Sequence, residues 1–275
     1  MSRLPVLDER FTSLRAHERD MMRDVERLTI ADLRKLPLLS GNAKTSVSLD
    51  FPIGHTCQPT ALCSRLCYAS RPGTPARWDK SLRMRLRTLH YFQLASTDEA
   101  CDRLIREYRS QQAKWRKHGV ELTHLRINGT GDLCPEVVPA LNQFMERCPD
   151  VRLWVVTRKL ELAARLRQCP NLYLQISVDA SSTPRFVHDA ERMVRENLRA
   201  YLSFLRTSTN EDDHGAAIVF HEKRTELPWG GVTDCPADAG RLPLNNVRGK
   251  GGTACATCRK CFSEETLARQ RLTAA

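Results

Sequence analysis

The sequence predicts an α/β fold built as a partial (βα) barrel, and three observations carry that expectation. The middle third reads as apolar strands separated by helices, the pattern of parallel βαβ units. The 275 residues are enough for one α/β barrel with a sizeable core. Only about five strands are legible, fewer than the eight that close a barrel, so the barrel is expected to be incomplete.

The elements follow in chain order. Residues 1 to about 38 read as helix, with Leu28, Ile30, Leu33 and Leu36 recurring at roughly helical spacing. Asp32 lies there on a solvated face and is given no role. Thr45 to Phe51, TSVSLDF, alternates and is rich in β-formers, so it is the first strand. Pro72, Gly73 and Pro75 mark a loop. Asp79 to Leu94 and Thr97 to Lys117 read as helices, with Asp79 and Thr97 as N-caps. Tyr91, Phe92 and Trp115 are assigned to the core.

His124 to Asn128 is a strand that runs into Gly129-Thr130-Gly131-Asp132. Pro135 to Arg147 follows as an apolar-striped helix with proline in its first turn. Val151 to Thr157 is a strand, Leu160 to Gln168 a short helix, and Leu172 to Val178 a strand ending at Asp179. Pro184 to Leu205 reads as a charged helix, Asn210 to Gly215 as a loop, and Ala216 to His221 as a further strand. The region after Asp234 is loop-like, and Gly249 to Gly252 is expected to be flexible. The chain then divides into an N-terminal helical extension (1–40), the partial barrel (41–225) and a C-terminal cysteine-rich segment (226–275).

The net charge of +11 concentrates in arginine-rich helices such as Lys80 to Arg87. A basic surface attracts phosphate backbones, so a nucleic-acid partner is a natural expectation beside the plainer reading of a solvated helix face. No apolar run is long enough to span a bilayer, and the charged N-terminus is no secretory signal. A cytoplasmic protein is expected, with no membrane partner. In a reducing compartment, eleven cysteines are poorly explained by disulfides, and their clustering points to metal.

The first cluster is HTCQPTALCSRLCYAS, from His55 to Ser70. It places Cys57, Cys63 and Cys67 in one loop, with gaps of five and three residues. Three thiolates can hold three irons of a 4Fe–4S cube and leave the fourth open. They can also hold zinc, with His55 as fourth ligand, or simply pack as small hydrophobes. Because the loop follows the first strand, it is expected at the carboxyl mouth of the barrel, where such folds place their sites. The second cluster, Cys235, Cys255, Cys258 and Cys261, supplies four thiolates, enough to close either a structural zinc or a 4Fe–4S cluster. Cys101, Cys148 and Cys169 read as packing residues, and Cys134 as a minor site candidate. His90, His188 and His221 read as surface or packing residues.

The segments GNAK, HTCQPTALCSRLCYA, NGTGDL, VVTRK and CPAD…CATCRKCF together resemble the gene-product-88 family of phage and plasmid proteins. The middle third also resembles the radical S-adenosylmethionine (SAM) enzymes. That resemblance implies a partial (βα) barrel of radical SAM type, with Cys57, Cys63 and Cys67 binding a 4Fe–4S cluster. It implies that Gly129, Gly131 and Asp132 meet the SAM amino group, Arg158 its carboxylate, and Ser177 and Asp179 its ribose. Cys235, Cys255, Cys258 and Cys261 would hold a second 4Fe–4S cluster or zinc, and an electron-donor protein would be a partner. The activity implied is reductive cleavage of SAM to a 5′-deoxyadenosyl radical acting on a substrate, with nucleic acid suggested by the charge. Two other readings stand beside it: a zinc-stabilised nucleic-acid-binding protein, and a zinc-containing base-exchange enzyme with Asp132 or Asp179 as nucleophile.

Overall fold

The computed structural model describes residues 9–42, 46–67, 75–208, 211–221, 235, 255 and 258–274. Seven strands form one open sheet: β1 (Leu39–Asn42), β2 (Ser46–Leu49), β3 (His124–Ile127), β4 (Arg152–Thr157), β5 (Leu172–Asp179), β6 (Ala200–Arg206) and β7 (Ile218–His221). Their spatial order is their chain order. β1 and β2 are antiparallel, and every later pair is parallel. When each crossover has the same hand and each new strand joins the same edge, the connecting helices fall on one face.

Side chains alternate along these strands accordingly. Val47, Leu49, Leu125, Ile127, Leu153, Val155, Leu174, Ile176, Leu202 and Phe204 point to the helical face and form the main core. On it pack Leu104 and Tyr108 from α6 (Thr97–Arg116), Leu141 and Phe144 from α7 (Val138–Arg147), Leu162 and Ala163 from α8 (Leu160–Ala163), and Ala190 and Val194 from α9 (Pro184–Glu196). The opposite face is mixed. Trp154, Tyr173 and Tyr201 meet Phe262 and Leu267, which arrive on a 3-10 turn (Lys260–Phe262) and the C-terminal helix that follows it (Glu264–Ala274).

The N-terminal segment is two helices rather than one: α1 (Glu9–Val25) and α2 (Ile30–Leu33). Thr29 starts the second with a reciprocal capping box to Asp32, so Asp32 does have a role. Phe11, Leu14, Met21, Met22 and Val25 of α1 pack on Ile53, Leu82 and Leu86. Leu82 and Leu86 belong to α5 (Pro75–Leu94), which begins four residues earlier than expected. The cap of α6 is Ser96, not Thr97. α7 starts at Val138, because Pro135–Val137 form a turn.

The largest correction is β6. The expected helix through Leu205 stops at Glu196, and Ala200–Arg206 is a strand. Leu202 and Phe204 alternate with Tyr201 and Ser203, a period of two that the preceding charged helix masked. β1 was also not expected, and the strand count rises from about five to seven. Tyr91 and Phe92 are buried as expected, and Trp115 packs on the core's edge. Pro72, Gly73, Asn210 and the Gly249–Gly252 stretch lie outside the described residues. Among the described residues, no helix is long and apolar enough to cross a membrane.

Candidate functional site

The first cysteine loop folds as two short helical turns, α3 (Ile53–Thr56) and α4 (Ala61–Leu66). Cys57 ends the first, Cys63 lies in the second and Cys67 ends it. Hydrogen bonds lash these turns to the carboxyl ends of the parallel strands. Asp132 N–H, past the end of β3, donates to Thr56 Oγ1 at 2.8 Å. Thr60 Oγ1 donates to Asp179 Oδ2 at 2.7 Å, at the end of β5. Leu62 N–H donates to Ser181 Oγ at 2.9 Å. Thr60 also caps α4 by accepting from the Cys63 N–H at 3.0 Å. The loop therefore sits where the sequence reading expected it, across the carboxyl ends of the strands.

Gly129, Thr130 and Gly131 make the close crossing behind the loop. Gly131 has φ +75°, and a Cβ there would collide with the Phe51 carbonyl. A Cβ at Gly129 would strike the Asp50 carboxylate. Thr130 N–H donates to Asp50 Oδ1 at 3.0 Å, and Phe51 N–H donates to the Thr130 carbonyl at 3.0 Å. Both glycines thus have a packing role: they let this turn press against the exit of β2.

Asp132 is buried and fully engaged. Oδ1 accepts from Leu133 N–H at 2.7 Å and from the Thr157 hydroxyl, and Oδ2 accepts from Arg158 N–H at 3.1 Å. Burial still pushes its carboxyl above the usual range, although these donors oppose the shift. Arg158 donates from Nη2 to Asp179 Oδ2 at 2.6 Å. Asp179 Oδ1 accepts from both the N–H and the hydroxyl of Ser181 at 2.9 Å. Burial would raise Asp179, but Arg158, Thr60 and Ser181 outweigh it and hold the carboxyl below its ordinary value. Ser177 lies half-buried on the opposite sheet face, 3.3 Å from Ser203 Oγ.

Cys57, Cys63 and Cys67 are half-buried. Burial pushes the Cys57 thiol well up, and Asp132, Cys63 and Cys67 add to the effect. Burial raises Cys63 too, against the pull of Arg158. The three sulfurs, Asp132, Asp179 and Arg158 therefore share one electrostatic neighbourhood. The Cys57 and Cys63 thiols, which burial keeps from ionising in isolation, are soft donors of the kind a bound cation would complete. Among the described residues, however, no group of three or more His, Cys, Asp or Glu side chains is gathered closely enough to hold a metal ion.

In the second group, Cys235 and Cys255 are buried, Cys261 lies at the edge of burial and Cys258 is half-buried. Cys235 N–H donates to Val219 of β7 at 2.9 Å, which brings the distant cysteine to the sheet. Tyr201 hydroxyl donates to the Cys261 carbonyl at 2.6 Å. Lys260 is lowered by burial and by Arg269, while Cys258, Cys261 and Cys235 pull it back up. Three of the four cysteines thus act on the same charge. Cys101 and Cys148 are buried in the core, Cys169 packs against it, and Cys134 is buried with its thiol pushed up to about 12.

Sequence reasoning missed Glu18. It falls in the apolar stripe of α1, between Leu14 and Met21, and is fully buried. Its Oε2 accepts the Gly54 N–H at the start of α3, and its Oε1 has no partner. Burial lifts its carboxyl to about 7. A charged residue at a core position of a helical stripe was the available signal. A cavity of about 800 Å³ opens beside the loop, between α8 and α9, lined in part by Gln58, Thr60, Arg158, Ser181, Phe186 and Met193.

These features define an α/β protein with an open, sequentially wound, mostly parallel sheet and a cysteine loop at its carboxyl end. The family model for Gene product 88 matches residues 23–264, and the chain belongs to that family. Comparison with curated proteins found no match, and neither did comparison with solved structures.

Proposed function

We propose that the protein is an iron–sulfur enzyme of radical SAM type, with its sheet acting as a partial (βα) barrel. Cys57, Cys63 and Cys67 would hold three irons of a 4Fe–4S cluster, and Cys235, Cys255, Cys258 and Cys261 a second cluster or zinc. The chemistry such a cluster would supply, once reduced, is one electron for the cleavage of SAM to methionine and a 5′-deoxyadenosyl radical, which would take a hydrogen atom from substrate. The observation that supports this reading is the mooring of the thiol loop to the ends of β3 and β5 through Asp132, Asp179 and Ser181. Sulfurs at the carboxyl ends of parallel strands support the reading, because such folds put reacting groups there.

The same geometry refines the roles expected of the neighbours. Asp132 and Asp179 each have both oxygens occupied within the protein. The Asp179 carboxylate fixes the loop through Thr60, the Asp132 carboxylate braces Thr157 and Arg158, and Arg158 would meet a SAM carboxylate only by sharing its guanidinium with Asp179. The basic surface suits a nucleic-acid substrate, and a protein reductant would supply the electron. Anaerobically purified protein should be brown, contain iron and, once reduced, release 5′-deoxyadenosine from SAM. Cys63→Ala should abolish the release. Colourless protein carrying zinc at both cysteine groups would overturn the proposal and leave a zinc-stabilised nucleic-acid-binding protein, or a base-exchange enzyme on a barrel.

A further inference from the structure

We infer that Arg126 and Asn128 form a subsite for a small ligand that carries an oxyanion and, a few ångströms away, an N–H donor. Arg126 sits on the sheet face opposite the helices, and Asn128 follows two positions later, just past the end of β3. Arg126 pairs in register with Trp154, and its guanidinium lies 4.7 Å from that ring's centroid. The side chain is half-buried, and its Nε is buried with no acceptor. Asp50, at the end of β2, does not serve as a counter-charge. Its oxygens take Ser40 Oγ at 2.6 Å, Ser48 Oγ at 2.8 Å and Thr130 N–H at 3.0 Å. A cation held this way, stacked but unpaired, is incomplete without an anion.

Asn128 is only 3% exposed and holds φ +63°. Its Nδ2 donates to the Val156 carbonyl at 2.8 Å, which fixes which end of the amide is which. Its Oδ1 is left buried with no donor. A buried acceptor without a donor is unfavourable, so the natural complement is a ligand N–H. Two residues along a strand span about 6.6 Å, which sets the scale between the two recognition points. The surrounding face is already polar, and its Gln175 network is satisfied. Gln175 takes the Trp154 and Tyr201 donors and gives one to Ser203. Only Arg126 and Asn128, among these, have capacity left over.

The subsite lies between the two cysteine groups. Gly129 to Asp132 continue from Asn128 toward the thiol loop, and Phe262, next to Cys261, has its ring centroid 5.7 Å from that of Trp154. A planar guanidinium takes a carboxylate or a phosphate equally well. The shared chemistry is therefore an oxyanion beside an amide, amine or nucleobase N–H. The binding claim goes beyond the proposed activity and does not need it.

The test is arginine-selective labelling with phenylglyoxal, read at the Arg126 peptide by mass spectrometry, on the full-length protein as purified, unreduced and without SAM. Adenosine 5′-monophosphate supplies the phosphate source and N-acetylglycine the carboxylate source. Saturating amounts of one of them should slow labelling of Arg126 about tenfold while other arginines react unchanged. Asn128→Ser, checked by its melting temperature, should raise the concentration needed by about tenfold, the loss expected for one hydrogen bond to a ligand of this kind. If neither probe protects Arg126, the inference is wrong. Unchanged protection in a folded Asn128→Ser would also overturn it. Release of 5′-deoxyadenosine is scored separately, so failure there leaves this result standing.

Discussion

Replacing Asp179 by asparagine removes the charge that joins three parts of the site. The Arg158 and Asp179 side chains are 12% and 0% exposed, and their contact is 2.6 Å. Breaking a buried pair from one side leaves the other charge uncompensated, which costs about 3–5 kcal/mol. For a domain of this size that corresponds to a melting-temperature fall on the order of 10 °C. The effect should also depend on pH with a definite sign. The carboxyl is held below its ordinary value, so its stabilisation is present above the unfolded value, about 3.9. It is lost as pH falls through the lower folded value. The gap between wild type and Asp179→Asn should therefore be full at pH 7 and shrink below about pH 4. Urea titration monitored by circular dichroism measures it, and a double-mutant cycle with Arg158→Met isolates the pair. Because Thr60 loses its acceptor, Cys63 should also react faster with maleimide. A loss under about 1 kcal/mol, typical of exposed ion pairs, would refute the claim that this contact fastens the loop.

Glu18 should behave in the opposite sense. Its folded carboxyl is raised to about 7, so its relative contribution is favourable at low pH and fades as pH climbs. Glu18→Gln should flatten the stability profile between about pH 4.5 and 7, and an unchanged profile would exclude burial of an ionisable Glu18. Gly131→Ala and Gly119→Ala form a matched pair, since both positions have positive φ but only Gly131 is crowded. The second should cost about 1 kcal/mol by thermal melting and the first clearly more. Equal losses would mean that the approach to Phe51 is not tight. Arg83 and Arg87 are half-buried on the α5 face, and the buried Arg87 Nε has no acceptor. If α5 meets a nucleic-acid backbone, Arg83→Gln with Arg87→Gln should lower the slope of log K against log salt by about 1.4, measured by anisotropy with a single-stranded oligonucleotide. An unchanged slope would move the contact elsewhere.

Much of the strand framework was legible because its signal is local. β3, β4 and β5 announce themselves by apolar side chains in alternation and by glycine or aspartate at their ends. β6 was hidden because Tyr201 and Ser203 face a polar layer that only exists once Gln175 and the C-terminal turn have arrived. β1 is four residues long, and its antiparallel pairing with β2 lends it little pattern of its own. At the site, the cysteines could be found from spacing alone. What holds them could not, since Thr60 finds Asp179 and Leu62 finds Ser181 across 119 residues. Gly129, Gly131 and Asp132 suit ligand contacts by their residue types, and sequence cannot separate that from their packing roles. Both uses require a small residue or a carboxylate at the same place.

The thiol loop is made early and tied down late. Cys57 to Cys67 leave the ribosome well before the strand whose end fastens them, and until Asp179 and Ser181 exist the loop has no anchor at that side. The moored form of the loop therefore waits for a chain folded through β5. A truncated product ending before that strand would keep every sulfur of the first group and still have nowhere to put them.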